Sequence, residues 1–305
     1  MIDEFSPYGF PIYISDNCST DNTTSVVSSL EKDYDNMKYA RNNSNLGLYR
    51  NILNVMQMAE TRYILFMGDD DTIKKGSVEK IVNLMLKNPD FLVLNSVSYD
   101  KELTYERYAR LIYCTEDVKY NDRSVQNLLS NLKKWSYHGY MPAMIMKRSL
   151  LEPRISKYKN PDFPLYDTAW LSLALFYEAI KNGKGLFVCE PIVLNRENPR
   201  PYGKNYWEYS YVDRIRALKY LEKAGYSRKI VVDVIKSRLI DLVYDAIMAK
   251  AEHVSAPLFT DYIKQEDSIP LSNKIVIKIL DLAPPSLMKL AKNVVLSVKE
   301  SRVHP

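Results

Sequence analysis

Between residues 12 and 97, short apolar runs alternate with stretches whose apolar side chains recur every three or four positions. No other feature restricts the fold as much. Ile12–Ser15, Met37–Ala40, Tyr63–Met67 and Phe91–Val97 read as buried strands, and the segments at about 22–32, 46–59 and 76–86 read as helices. Ile52, Leu53, Val55, Met56 and Ala59 share one helical face, and Val78, Ile81, Val82 and Met85 share another. Thr20 or Asp21 suits the cap of the first helix. Strand and helix alternating at this period predict an α/β unit, a mostly parallel sheet with helices on both faces. Ligands of such sheets bind at the carboxyl ends of the strands.

The pattern changes further along. Residues 100–132 are irregular and tyrosine-rich, Ala143–Met146 reads as a strand, Leu165–Lys181 as a helix, and Leu186–Cys189 and Ile192–Leu194 as closing strands. Beyond Tyr206 the pattern is helical, with Val231, Val234, Ile235, Leu239, Leu242, Val243 and Ala246 on one stripe. Pro199, Pro201 and Gly203 cluster between the two patterns, so the expected division is 1–203 and 204–305.

Composition narrows the function classes. Hydrophobic residues at 46% and charged residues at 26% describe a folded chain and argue against disorder. A net charge of +5, dispersed along the chain, is too small for a dedicated nucleic-acid binder. Cys18, Cys114 and Cys189 form an odd set without metal-ligand spacing, which argues against a disulfide framework or structural zinc and suits a reducing cytoplasm. Met1-Ile2-Asp3-Glu4 carries acids where a signal peptide needs a basic stretch. The apolar segments fall short of the roughly 18–20 residues that span a bilayer.

Three polar clusters carry candidate chemistry. Gly68-Asp69-Asp70-Asp71 follows the strand at 63–67, and adjacent carboxylates repel unless a hard cation such as Mg²⁺ or Mn²⁺ neutralises them. The competing reading is a solvated acidic turn. In Ser15-Asp16-Asn17-Cys18-Ser19-Thr20-Asp21-Asn22-Thr23, Asp16 and Asn17 have the donors and acceptors to read a nucleobase edge, although such turns also simply cap helices. Asn45-Leu46-Gly47-Leu48-Tyr49-Arg50-Asn51 opens a helix and offers Arg50 to a phosphate or base.

In this order and spacing the three clusters resemble the family 2 glycosyltransferases of GT-A fold. The likeness is strongest over about 12–96, and the branch resembled includes abequosyl- and rhamnosyltransferases of O-antigen and surface polysaccharide assembly. The resemblance implies metal ligation by Asp70 and Asp71; because Gly68 replaces the first aspartate of the motif, that residue's contact to the donor ribose is either lost or taken over by Asp69. It implies base contacts from Asp16 and Asn17, a base or diphosphate contact from Arg50, and a diphosphate contact from Arg196, with Arg200 in support. The family's Glu-Asp motif corresponds to Tyr166-Asp167, which makes Asp167 the expected catalytic base, with a helix cap as the alternative. His138 is left out of that set. The donor implied is a nucleotide sugar, of rhamnose or another deoxyhexose, and the acceptor a polyprenyl-diphosphate-linked saccharide.

The chain departs from the family at its start. Only Met1–Pro11 precede the first recognisable strand, too few for the family's first strand and crossover helix. A start site placed too far downstream, or a truncated relative, is the expectation. At the other end, residues 272–305 combine Lys274, Lys278, Lys289, Lys292, Lys299 and Arg302 with Ile275, Val276, Ile279, Leu280, Leu287, Leu290, Val294 and Val295. This suits peripheral contact with the inner face of the cytoplasmic membrane. Two rival functions stay open: a degenerate nucleotide- or sugar-binding module, and a sugar nucleotidyltransferase, which would normally show a glycine-rich N-terminal loop.

Overall fold

The computed structural model describes residues 2–100, 102–107, 112, 114–131, 139–166, 168, 170–196, 212–237, 247, 267, 269, 271–284 and 286–291. The chain forms two compact units, Met1–Leu128 with Trp135–Asn198, and Leu129–Lys134 with Pro199–Pro305.

In chain order the elements up to residue 99 are α1 (Ile2–Phe5), β1 (Ile12–Asp16), α2 (Thr23–Asp33), β2 (Met37–Arg41), α3 (Leu48–Met58), β3 (Tyr63–Leu65), β4 (Thr72–Ile73), α4 (Ser77–Leu86) and β5 (Phe91–Tyr99). There follow β6 (Glu106–Arg107), β7 (Val118–Tyr120), α5 (Val125–Asn131), β8 (Met144–Lys147), α6 (Arg148–Lys159), α7 (Leu171–Ile180) and β9 (Gly185–Arg196). The expected strand at 63–67 stops at Leu65, ahead of the acidic turn. The expected helix from 165 starts at Leu171, because 160–166 is used in turns closed by Phe163 N–H to Asn160 O and Tyr166 N–H to Phe163 O. The two closing strands are one strand, β9, whose register against β5 slips between Leu94↔Val188 and Asn95↔Pro191.

The larger sheet has the order β3-β8-β5-β9-β4, with β6 on β5 and β7 on β9. β5 and β9 pair in parallel, and β3 runs in their direction, as βα units require. The expectation of a mostly parallel sheet is nevertheless corrected. β8 enters between β3 and β5 in the reverse sense, and β4 pairs antiparallel to β9, so the α/β fold is built on a mixed sheet. Its core is β5, where Phe91, Val93 and Leu94 are fully buried, and α7, where Leu173, Ala174, Tyr177 and Ile180 are. Phe91 meets Phe176 edge-on at 6.2 Å. Burying each such large side chain contributes about 1.5–3 kcal/mol.

β1 and β2 form a separate parallel pair, Ile12↔Met37 to Asp16↔Arg41. Ile12 N–H bonds Asn36 O and Asn42 N–H bonds Asp16 O, so even-numbered residues of β1 face β2 and Tyr13 and Ser15 face outward. In β3, the bond from Arg148 N–H to Arg62 O turns even-numbered residues toward β8 and leaves Tyr63 and Leu65 on the outer edge. Among the described residues neither outer edge pairs with another strand. Each has one carbonyl covered by a side chain: Asn51 Nδ2 donates to Ser15 O at 2.8 Å, and Thr61 Oγ1 to Tyr63 O at 2.8 Å. Consistent with an uncovered edge, Ile12, Tyr13 and Ile14 are only half-buried.

Cysteine usage is also corrected. Cys114 and Cys189 are joined in a disulfide across 75 residues, and Cys18 is the free thiol. Beside the bridge, buried Asn95 donates to the carbonyls of Ile112 and Cys189, both at 2.8 Å, and accepts from Ile112 N–H.

In the second unit α8 (Asp213–Lys223) packs on α9 (Arg228–Ser237), and Ile215, Leu218 and Leu221 of the first and Val231, Val234 and Ile235 of the second are buried. The continuation of that stripe through Leu239 to Ala246 lies outside the described residues. α10 (Leu271–Leu282) follows.

Candidate functional site

The turn after β1 is built around Asp16. Its side chain is fully enclosed and its carboxylate accepts from Ser19 N–H at 2.8 Å, the Tyr39 hydroxyl at 2.7 Å and Arg41 Nε at 3.1 Å. Hydrogen bonds from Ser19, supported by Tyr39 and the Arg41 guanidinium, outweigh the opposing effect of burial and hold this carboxyl at about 2. Asp16 is thus an ionised anchor that fixes Ser19 and Arg41. Asn17 ties the neighbouring loop. Its Oδ1 accepts from Leu46 N–H and Asn42 Nδ2, and its Nδ2 donates to Asn45 Oδ1 at 2.8 Å. Asn51, at the start of α3, accepts from Ser15 Oγ at 2.6 Å and Asn42 Nδ2 at 2.8 Å. Ser15, Asn17, Asn42 and Asn51 therefore form one network joining the ends of β1 and β2 to α3.

α3 opens at Gly47, whose φ of 81° is open to glycine at little cost, and this places Arg50 in the first helical turn. The Arg50 guanidinium lies 4.2 Å from the centre of the Tyr166 ring. Arg50 is so brought beside the residue that stands before Asp167. Asp167 itself lies outside the described residues, as do His138 and Arg200.

The acidic turn separates its three carboxylates. Asp69 is exposed, Asp70 half-buried and Asp71 buried. A Cβ on Gly68 would stand 2.7 Å from Asp70 Oδ1, so a larger residue there would turn that carboxylate aside. Asp71 faces the protein: Oδ1 accepts from Asn195 Nδ2 at 2.7 Å and Arg196 N–H at 3.2 Å, and Oδ2 from the Tyr140 hydroxyl at 2.9 Å. Arg196, the last residue of β9, is in this way attached to the acidic turn. Its Nε is buried with no hydrogen-bond partner among the described residues. A buried guanidinium donor left without an acceptor is costly unless an anion completes it.

Of the expected site residues, Asp71 and Arg196 are in direct contact, Asp69 and Asp70 share their turn, and Asp16 and Asn17 occupy the carboxyl end of β1. Tyr39, Arg41, Asn42, Tyr140 and Asn195 were not singled out from sequence. A polar residue ending an apolar strand, as Asn195 does, was the available signal. Mg²⁺ is commonly held by one or two carboxylates plus substrate phosphates, and of the three acids in this turn Asp69 and Asp70 are the accessible ones. Among the described residues no three His, Cys, Asp or Glu side chains converge as a cage.

Comparison with known proteins completes the description. Residues 3–154 match the family model "Glycosyl transferase family 2". Over 89 residues the chain is 30% identical to a Bacillus subtilis protein named for teichuronic acid biosynthesis, TuaG, a match covering 28% of this chain and 34% of that one. Over 72 residues it is 36% identical to a Campylobacter jejuni GalNAc(5)-diNAcBac-PP-undecaprenol beta-1,3-glucosyltransferase, covering 23% of each. The matches thus span about a third or less of these relatives. Staphylococcus aureus TarS 1–349 in complex with UDP-GlcNAc superposes with a TM-score of 0.60 at 12% identity, covering 95% of this chain and 83% of that one. This likeness establishes the GT-A fold alone.

Proposed function

The chain belongs to glycosyl transferase family 2, and from that premise we propose that it transfers a sugar, with inversion, from a nucleotide-sugar donor to a lipid-linked saccharide during surface polysaccharide assembly. The observation that carries this reading is the attachment of Arg196 to the acidic turn through Asp71, with Arg196 Nε buried and without a partner among the described residues. An acidic turn and an arginine attached to each other at strand ends suit a cation-bound diphosphate. The relatives support the substrate class: one TarS structure holds UDP-GlcNAc, and the Campylobacter relative is named for an undecaprenol-linked acceptor.

In this reading Asp70, with Asp69, holds Mg²⁺ or Mn²⁺, which when bound neutralises charge on the departing diphosphate. Arg196 and Arg50 bind the same anion, and stacking on Tyr166 keeps the Arg50 plane oriented. The turn fixed by Asp16 and Asn17 receives the base. Asp167 takes the proton of the acceptor hydroxyl as its oxygen bonds to the anomeric carbon and the bond from that carbon to the diphosphate breaks. The test is calorimetric titration with UDP-GlcNAc, other UDP-sugars and dTDP-rhamnose, each with and without Mn²⁺. Mn²⁺-dependent binding of at least one is expected. No binding of any nucleotide would overturn the proposal.

The open outer edges of β1 and β3 favour one second reading, a module that binds nucleotide without turnover; donor binding with no transfer to any lipid-linked acceptor would select it.

Membrane contact is part of the proposal. α10 exposes Leu271, Ile275, Val276, Ile279 and Leu282, with Lys278 exposed as well, and Leu287, Lys289 and Leu290 are exposed beyond it. Such a face suits an anionic leaflet, where each nearby lysine contributes about 1 kcal/mol. No described helix is long and apolar enough to cross a membrane. The inner face of the cytoplasmic membrane is the location this reading implies.

A further inference from the structure

We propose that Asp71 is a positioning residue that locks the acidic turn to Arg196, and that it is not a ligand of the cation. The proposal rests on the reading of the acidic turn and Arg196 as two sides of a diphosphate site.

All three donors to Asp71 come from other parts of the chain: Asn195 and Arg196 from the end of β9, and Tyr140 from the turn before β8. Oδ1 already accepts two hydrogen bonds, which fills its lone pairs, and Oδ2 accepts a third. Asn195 is itself oriented. Fully buried Ser98 in β5 donates to Asn195 Oδ1 at 3.2 Å, so the amide presents its NH₂ to Asp71. A reversed amide would set oxygen against the carboxylate. The backbone agrees, because β4 pairs Thr72 with Leu194, and that register carried one residue further sets Asp71 opposite Asn195. Hydrogen bonds to a carboxylate are about twice as strong as neutral ones, and these are enclosed: Asp71 and Tyr140 are each 9% exposed and Asn195 8%.

The mechanical consequence concerns two neighbours. Asp70 precedes Asp71 in the chain, and the Arg196 main chain is bonded to it, so the cation ligand and the arginine cannot shift independently. Tyr140 adds a third loop to the same lock.

Asparagine and alanine at position 71 separate lock from ligand. Asp71→Asn keeps an oxygen for Asn195 and Arg196, and its NH₂ can donate to the Tyr140 hydroxyl; Asp71→Ala keeps none of these. Mn²⁺ is titrated by electron paramagnetic resonance in the presence of UDP. Asp70→Asn should weaken Mn²⁺ by at least about tenfold and Asp71→Asn by no more than about threefold, because only the former loses an anionic ligand. Asp71→Ala and Tyr140→Phe should weaken UDP more than Asp71→Asn does. Loss of Mn²⁺ affinity in Asp71→Asn equal to that in Asp70→Asn would overturn the proposal.

A second readout needs no ligand. Amide hydrogen exchange over 193–196 should quicken by about tenfold in Asp71→Ala and stay near wild type in Asp71→Asn, as loss of hydrogen bonds to a charged group predicts. Unchanged exchange in Asp71→Ala would overturn the lock. Should Asp71→Ala not fold, Asn195→Ala and Tyr140→Phe take its place in both measurements. Wild-type protein that binds neither UDP nor any of the nucleotide sugars titrated above would refute the functional reading and leave the exchange measurement to decide the lock.

Discussion

The guanidinium of Arg50 stacks 4.2 Å from the centre of the Tyr166 ring. This contact joins the first turn of α3 to the segment just before Asp167, two regions 116 positions apart in number and linked here by a cation on an aromatic face. In the resembled motif a glutamate stands where Tyr166 stands, so a ring replaces a second acid beside the expected base.

Tyr166→Phe should leave donor affinity near wild type, because the ring face is kept, while Tyr166→Ala should weaken it by about three- to tenfold, the equivalent of a cation–π contact of roughly 0.5–1.5 kcal/mol. Calorimetric titration with the donor checks this. Equal affinity in both variants would remove the stack from the binding site.

Asp167→Asn should retain donor and Mn²⁺ affinity and lose transfer by about 10²–10⁴-fold, the usual contribution of a positioned base. A helix cap alone would instead cost about 1 kcal/mol of stability with turnover kept. Single-turnover transfer and thermal melting on the same preparation separate the two.

Asp16 sets a pH dependence. Its folded-state carboxyl is lowered from 3.8 to about 2, so its stabilising contribution is complete above 3.8 and is lost as pH falls from there through about 2. Wild-type stability should therefore decline across that window. Asp16→Asn should be less stable at neutral pH and show a shallower decline, as followed by urea unfolding at stepped pH.

Alkylation should count the thiols. Without reductant, native protein should label at Cys18 alone, and after denaturation and reduction at Cys18, Cys114 and Cys189. Labelling of all three before reduction would mean that the bridge is open under those conditions.

Flotation with liposomes tests the α10 face. Binding to vesicles containing phosphatidylglycerol, but not to pure phosphatidylcholine, is expected, and Ile275→Glu with Ile279→Glu should abolish it. Equal behaviour of wild type and this double variant would exclude the helix as the contact.

β5 was the clearest strand in the sequence, with Phe91 through Ser98 all buried, whereas β4, β6 and β7, only two or three residues long, carry too little apolar pattern to be read. α6 escaped notice. Pro153 lies inside it, and only Leu151, Ile155 and Tyr158 are buried, a narrow stripe within a charged stretch. The reversed entry of β8 was also hidden, because periodicity reports which residues face inward and says nothing of strand direction. At the site, Asp71 stood inside a recognisable motif, yet its partners Tyr140 and Asn195 lie 69 and 124 positions away. Local spacing pointed to an acid and left its neighbours unnamed. The disulfide was missed for the same reason: Cys114 and Cys189 are paired by the course of the chain across 75 residues, with no spacing motif to announce it.

The Ser15 carbonyl on the outer edge of β1 is occupied by Asn51, and the same Asn51 side chain holds Ser15 Oγ and Asn42 within the polar network. Any peptide that added itself to that edge would compete for this carbonyl and draw Asn51 away. Backbone capture and the architecture of the pocket thus share one amide, and occupancy of the edge would be felt at Asn42 and, through it, at Asn17 and the loop above the first strand.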